Sequence, residues 1–314
     1  MKRNLKSYIT ITLKGLGMGA ADVVPGVSGG TIAFITGIYE ELVTTIANVD
    51  ISLIKTWRQN GFAAMWKQFN GGFIIALLTG IFISIFTLMR LTNYLLDTYP
   101  IVVWSFFFGL VGASVWYVGK QIEKWNPKLI GVTILGFIVA FGITELTPTQ
   151  GIDHPLYFLM CGAIAVCAMI LPGISGAFIL VLLGGYKSIT TAVSEFNLQV
   201  IGLVGLGAII GLLSFSRILK WLFTKFKSLT LAILTGFIAG SLNKIWPWKE
   251  VLDSEIIKGK VVILKEVSIS PTQFDGDPKL LYACIAAILG FLLILLLEKI
   301  AEKQPLSNAE HKDI

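Results

Sequence analysis

Long apolar runs separated by short polar segments dominate this chain. Runs near 72–90, 100–118, 129–146, 199–219, 228–246 and 280–298 each approach the ~20 residues needed to cross a hydrocarbon core, and they predict six transmembrane helices. Two further apolar regions, 8–46 and 156–195, are each cut in the middle by a Pro-Gly pair. The first reads "DVVPGVSGGTIAFITGIYEEL" over 22–42 and the second "MILPGISGAFILVLLGGYKSI" over 169–189. Each region is either two short spans or one hairpin that enters and leaves by the same side. Length does not separate these, and the expectation of a hairpin rests on the Pro-Gly break alone.

The two broken regions are copies of each other. A shift of 147 residues lays Pro25-Gly26-Val27-Ser28-Gly29 on Pro172-Gly173-Ile174-Ser175-Gly176, and also Gly37 on Gly184 and Tyr39 on Tyr186. Further along, a shift of 127 matches Gly80 with Gly207, Arg90 with Arg217, Gly109 with Gly236 and Ser114 with Ser241. The difference means that the first copy carries an insert of 20 residues between Thr44 and Gly80. That insert mixes Trp57, Phe62, Met65, Trp66 and Phe69 with Lys55, Arg58 and Lys67. It reads either as an amphipathic segment in the membrane interface or as a basic loop with aromatic anchors.

Composition agrees with a membrane location. The 314 residues are 55% hydrophobic and 14% charged, against roughly a quarter charged in soluble domains. Lys2, Arg3 and Lys6 precede an apolar run as in a signal peptide, but the run continues straight into the broken element, so it is expected to be retained. The net charge of +6 is dispersed among loops, which speaks for orientation in the bilayer and against nucleic-acid binding. Cys161, Cys167 and Cys284 lie in apolar segments and give no disulfide framework.

Lysine and arginine also set a topology. Loops 48–70, 119–128 and 217–227 are basic, whereas 91–99, 147–155 and 187–198 together hold a single lysine. With the N-terminus in the cytoplasm, the basic loops are inside, and the long, charge-balanced 247–279 loop is outside. Each copy then has a broken element and three spans, so the second copy starts on the opposite face from the first. The expected fold is an all-α integral membrane protein of two inverted-topology repeats, 1–146 and 147–314, each a broken re-entrant hairpin plus three transmembrane helices. In secondary transporters this arrangement puts the substrate site near the midplane, between discontinuous helices.

The broken motifs suggest the chemistry. Proline ends one helical segment and the glycines free the backbone, while Ser28 or Ser175 suits the N-cap of the next. A helix start presents unpaired N–H groups and partial positive charge, which suit an anion such as phosphate. The candidate anion site is therefore Pro25, Gly26, Ser28, Gly29, Gly30 and Thr31 with Pro172, Gly173, Ser175 and Gly176. The plainer alternative is that Pro and Gly only kink spans and let helices pack closely. Arg90 and Arg217, each at the end of an expected span, either snorkel to the interface or receive an anionic head group. Asp22 is a candidate proton or cation carrier, or a cap for the neighbouring turn. Glu40 and Glu41 mark a membrane edge or assist in ion coupling. No metal site or cofactor is expected.

The paired motif resembles that of the bacterial polyprenyl-phosphate transporter family (PopT), long catalogued only as a domain of unknown function, and the likeness covers nearly the whole chain. Asp22, Pro25, Gly26, Ser28, Gly29, Gly30 and Thr31 match the family motif, with Pro172, Gly173, Ser175 and Gly176 in the second copy. The resemblance implies that the chain returns undecaprenyl phosphate from the outer to the cytoplasmic leaflet of the bacterial inner membrane, with that lipid as its partner. The second copy has Ala177-Phe178 where the first has Gly30-Thr31, so the two cradles are not equivalent. The residues alone also leave open a small-anion channel or carrier, and a polyprenyl-diphosphate phosphatase. Against the phosphatase, His154 lies in a polar loop and His311 in the tail, and the chain has no other histidine. Oligomeric state and coupling ion are open, and the chain has no nucleotide-binding motif of the GxxxxGK[ST] kind.

Overall fold

A computed structural model of the protein describes residues 3–23, 27–257 and 260–302. Its first part runs α1 (Leu5–Val23), α2 (Gly29–Ile35), α3 (Tyr39–Ala47), α4 (Ile51–Gln68), α5 (Gly71–Thr98), α6 (Pro100–Lys120) and α7 (Pro127–Glu145). Then come α8 (Pro155–Ile170), α9 (Gly176–Leu182), α10 (Tyr186–Ser194), α11 (Leu198–Lys225) and α12 (Lys227–Ser241), extended by a 3-10 turn over Leu242–Ile245. Strands β1 (Lys249–Ile257) and β2 (Lys260–Ser268) precede α13 (Leu280–Glu302). Local chemistry sets several of the starts. Pro100, Pro127 and Pro155 open α6, α7 and α8 at positions where a missing N–H costs nothing. Asn126 and Asn197 cap α7 and α11, accepting from the amides of Leu129 and Val200.

By length and composition, α5, α6, α7, α11 and the α12 segment can cross a membrane, and α13 is apolar from Leu280 to Leu296. Their outer faces carry large apolar side chains, with Phe86 79% exposed, as lipid in place of water requires. Trp116, Trp125 and Trp221 are exposed toward one end of the bundle and Tyr94, Tyr99 and Tyr282 toward the other, the positions of interfacial belts.

The core is a set of helix pairs closed by glycine. In α1 and α5, which run parallel, a Cβ on Gly80 would lie 1.9 Å from the Thr12 carbonyl oxygen, and one on Gly15 would lie 2.2 Å from that of Leu77. The same crossing recurs between α8 and α11, where a Cβ on Gly207 would lie 1.9 Å from the Leu159 oxygen and one on Gly162 would lie 2.1 Å from that of Val204. A second kind of pair joins distant parts of the chain. α6 meets α13 through Gly109 against Ala287 and Gly290 against Phe106, and α7 meets α12 through Gly136 against Ile233 and Gly236 against Thr133. In lipid, where helices gain little from burying apolar surface against each other, such close backbone approach supplies the association energy.

Each broken element folds back along its own first helix. Gly29 lies beside Asp22 and Thr36 beside Lys14, so α2 returns along α1; Gly176 lies beside Ala165 and Leu183 beside Tyr157, so α9 returns along α8. Between α9 and α10 the axis turns by 113°. Gly37 (φ 73) and Gly184 (φ 76) make the corresponding left-handed turns, which glycine adopts without the Cβ penalty.

One expectation is corrected. The fold is not all-α, because 249–268 contains an antiparallel hairpin with Glu250 opposite Val267 and Val251 opposite Glu266. Val251, Ile256, Val261, Val262, Ile263 and Val267 are β-branched residues that favour extended backbone. The insert forms α4, but Gly61 sits within it at φ 81 and ψ 173 and divides it into two helical pieces. Arg90 and Arg217 each lie eight residues before the last residue of α5 and α11. α5 and α11 each have 28 residues, about 42 Å at the usual rise, so both helices run past the ~30 Å hydrocarbon thickness.

The glycine crossings generate a prediction. Gly80→Ala and Gly207→Ala force backbones apart, and each is expected to destabilise the protein by about 1–3 kcal/mol. Gly142, with no atom within 4 Å of an added Cβ, is the control, and Gly142→Ala is expected to be neutral or slightly stabilising. Thermal unfolding of the detergent-solubilised protein measures both.

Candidate functional site

Chain segments 142 residues apart meet where the two breaks cross. The Gly173 amide donates to Thr31 Oγ1 at 2.9 Å. Ser28 Oγ lies 3.3 Å from both the Met169 and the Leu171 carbonyl oxygens and donates to them. Space at the crossing is tight, since a Cβ on Gly30 would fall 2.7 Å from the Ile170 oxygen. Ser28 and Thr31 are 1% and 0% exposed, which makes these bonds obligatory: a buried amide or hydroxyl without a partner costs about 1–3 kcal/mol.

The start of α2 is fully capped. Ser28 is extended (φ −119, ψ 131), and its Oγ accepts from the Gly30 amide at 3.1 Å. The Asp22 carboxylate, near the end of α1, accepts from the Gly29 amide at 2.7 Å. The Thr31 amide donates to the Ser28 carbonyl at 2.9 Å. The three leading amides of α2 are thus all taken, one of them by a carboxylate. A Cβ on Gly29 would fall 2.5 Å from that carboxylate, so only glycine lets it approach.

The second break is looser. Leu171 is extended, as a residue before proline must be, and Gly173 turns left-handed at φ 91. Ser175 caps α9 by position, but its side chain makes no cap bond. Beside it lies a cavity of about 10 Å³, room for about one water, bounded by Gly173, Ser175, Phe178, Thr144 and Lys244. Lys244 Nζ stands 4.4 Å from the centre of the Phe178 ring and 2.8 Å from Glu266 of β2. Lys249 Nζ is 2.7 Å from the same carboxylate. Burial pushes the Glu266 carboxyl up, but Lys249 and Lys244 outweigh burial and hold it below the ordinary glutamate range. Burial pushes the Lys249 ammonium down.

Of the expected site residues, Asp22, Ser28, Gly29, Gly30, Thr31 and Gly173 are brought together here. Pro172 is buried beside them, and Ser175 and Gly176 are half-buried on the α9 side. Pro25 and Gly26 lie outside the described residues, as does His311. The arginines stand elsewhere: Arg90 is exposed on α5, and Arg217 Nη2 donates to the Val49 carbonyl at 2.8 Å. Glu40 pairs with Lys227 at 2.8 Å, and Glu41 pairs with Arg3 and accepts from Asn70. Both glutamates therefore belong to the end of the bundle where α1 begins.

Two supporting residues were not anticipated. Lys14, within α1, donates to the Thr36 carbonyl at 2.6 Å and closes the C-terminal end of α2. Tyr157, within α8, donates to the Leu183 carbonyl at the matching end of α9. A lysine inside an apolar helix is itself a signal. No sequence signal marks Tyr157, because different residue types do the same task in the two places.

Taken together, apolar spanning helices, buried breaks and glycine-closed pairs define a multi-pass helical membrane protein whose polar centre is built from two interrupted helices. The family model for VCA0040-like, undecaprenyl phosphate translocase-like proteins matches residues 18–262, and the chain belongs to that family. It is 48% identical over 302 residues to the polyprenyl-phosphate transporter of Vibrio cholerae, covering 95% of this chain and 98% of the relative. It is 32% identical over 254 residues to the polyprenyl-phosphate transporter of Staphylococcus aureus, covering 75% of this chain and 85% of that one. These names describe transporters, not enzymes. No solved structure matches the chain.

The crossing makes Thr31 a discriminating position. Thr31→Val keeps shape but leaves the Gly173 amide unpaired, and is expected to cost about 1–3 kcal/mol, whereas Thr31→Ser retains the acceptor. Thermal unfolding of the two variants side by side measures the difference.

Proposed function

We propose that this chain carries polyprenyl phosphate, in particular undecaprenyl phosphate, from the outer to the cytoplasmic leaflet of the bacterial cytoplasmic membrane. It would thereby return a carrier lipid to cell-wall synthesis. The observation that carries the reading is the crossing of the two breaks through Gly173, Thr31 and Ser28. It puts irregular backbone inside the protein, which a membrane protein tolerates where that backbone is buried or lines a polar path. The named relatives supply the substrate class.

On this reading, 1–146 and 147–314 are inverted repeats with both termini cytoplasmic. The recurrence of the α1/α5 crossing between α8 and α11 at matched positions supports the repeat. So does the exchange by which α6 pairs with α13 while α7 pairs with α12. The elements enter from opposite ends: Arg3 meets Glu41 and Asn70 at one, and Thr149 meets Leu182 at the other.

Phosphate is the anion for which the amides of Gly29–Thr31, with those after Ser175, are proposed. In the structure Asp22 holds the Gly29 amide, so an internal carboxylate occupies the place of an external anion. Phosphate binding and release of Asp22 are then linked. Protonation removes the carboxylate's charge and favours its release, which makes a proton the proposed coupling ion. Glu40 and Glu41, held by Lys227 and Arg3, are assigned no such role. Arg90 and Arg217 are proposed to meet head groups at the two faces.

Transfer of labelled polyprenyl phosphate between leaflets of proteoliposomes, with phosphate release followed in the same sample, tests the proposal. Accelerated transfer without phosphate release is expected. Ser28→Phe is expected to insert and to abolish transfer; normal transfer by that variant would remove the motif from the mechanism. Asp22→Asn is expected to slow transfer and flatten its pH dependence, and an unchanged rate and pH profile would end the coupling role. Inhibition by inorganic phosphate, with no dependence on a lipid tail, would favour a small-anion carrier.

A further inference from the structure

A second open space is lined by none of the residues of the crossing. A groove of about 730 Å³ lies between the C-terminal end of α5, the first turns of α6 and the first turns of α13. Leu95, Phe106, Phe107, Ala286 and Leu289 line it, and Lys279 is the charged residue among those lining it. This volume lies within the ~300–1,000 Å³ range of small-molecule sites. Lys279 Nζ is 5.9 Å from the centre of the Tyr99 ring, within reach of a cation–π contact. Its backbone is left-handed at φ 47, a conformation that lysine adopts at a cost and asparagine or glycine more readily.

The matching stretch of α11 at the opposite end is covered by another helix. Shifting α5 by 127 residues places Leu95 on Leu222 and Leu96 on Phe223 of α11. There α3 packs along α11. Tyr39 and Phe34 lie against Phe223 with ring centres 5.8 and 6.4 Å apart. Arg217 to the Val49 carbonyl, Lys220 to Asn48 and Lys227 to Glu40 close the seam. The counterpart of α3 is α10, and among the described residues α10 makes no comparable packing with α5. The matched stretches of α5 and α11 thus differ in what covers them.

We propose that this groove is where the prenyl chain of a polyprenyl phosphate lodges, with Lys279 receiving its phosphate at the membrane surface. The proposal rests on the transport reading above for its substrate. Apolar walls fit the isoprenoid chain, and a single ammonium at an interface carrying Tyr99 and Tyr282 fits the phosphate. A neutral prenyl alcohol would gain only the walls. A diacyl phosphate lipid would bring two chains where the proposal seats one.

The test uses the full-length protein in phosphatidylcholine nanodiscs with a polyprenyl phosphate bearing a photoreactive diazirine on its chain, and mass spectrometry to map the label. Labelling is expected on Phe106, Phe107 and Leu289. Unlabelled polyprenyl phosphate should compete about fivefold better than polyprenol, the effect of one cation at a membrane surface. Lys279→Glu is expected to reduce labelling by a similar factor, with Lys279→Arg restoring it, and Ala286→Trp to abolish it by filling the groove. Even labelling over the exposed faces of α7 and α11, or equal competition by phosphatidic acid, would mean a groove that only collects bilayer lipid and would overturn the proposal. So would full labelling of Lys279→Glu, a variant that keeps the test decisive should Ala286→Trp fail to fold. Groove labelling with the expected competition, but no leaflet transfer by the parent protein, would overturn the transport reading and leave the groove standing. Transfer by the parent protein with labelling unaffected by either substitution would overturn the groove alone.

Discussion

Within a bilayer, a break in a helix is tolerable only when protein satisfies the amides and carbonyls it frees, and this chain has two such breaks that satisfy each other. Gly173 gives its amide to Thr31, and Ser28 gives its hydroxyl to the carbonyls of Met169 and Leu171. Neither break can move far without leaving the other's polar backbone unpaired. The rest of the packing follows from holding these segments in contact. Helices must pass one another at backbone distance, and glycines at 15, 80, 162 and 207 permit it. The short return helices must end cleanly, and Lys14 and Tyr157 take their last free carbonyls.

The mutual dependence is not equal on the two sides. α2 is buried along its whole length and its first amides are all occupied, by Asp22, Ser28 and the Ser28 carbonyl. α9 buries only Ile179 and Leu182 fully, and Ser175 leaves a water-sized space beside Lys244. The electrostatics differ in the same sense, with a carboxylate at the first break and an ammonium near the second. Lys244 is held by Glu266 on the β-hairpin, which gives that hairpin a place in the balance of charge around α9 beyond covering a surface.

What could be read in the sequence follows from the range of the interaction involved. Apolar runs and prolines at helix starts are local, so the helices from α5 to α7 and from α11 to α13 lie close to where hydrophobicity places them. The Pro-Gly breaks were legible because the same residues recur 147 positions apart. The helix extensions past Arg90 and Arg217 were not, since amphipathic last turns look like loop once hydropathy falls. The hairpin over 249–268 carried a signal in its valines and isoleucines, masked by interspersed charges. Within the site, Ser28 was legible as a cap because Gly30 is two residues away. The pairing of Thr31 with Gly173 was not, because no local pattern encodes a contact between residues 142 apart. Asp22 had two readings, and the structure shows the capping one directly through the Gly29 amide.

A lipid with a charged head and a long apolar chain sets two demands that ordinary substrates do not combine. The head must leave water without meeting bare hydrocarbon, while the chain must never leave hydrocarbon. On the proposed reading, the buried Ser28 hydroxyl and the amides of Gly29 and Gly173 would answer the first demand, because each donates to an acceptor whose place a phosphate oxygen would take. The proposed groove between α5, α6 and α13 would answer the second, since the chain would stay among apolar side chains while Lys279 receives the head. On the proposed reading, the carboxylate of Asp22 joins the two. It keeps the α2 amides satisfied while no head group is there, so the crossing need not stand open and unpaired between one passage and the next.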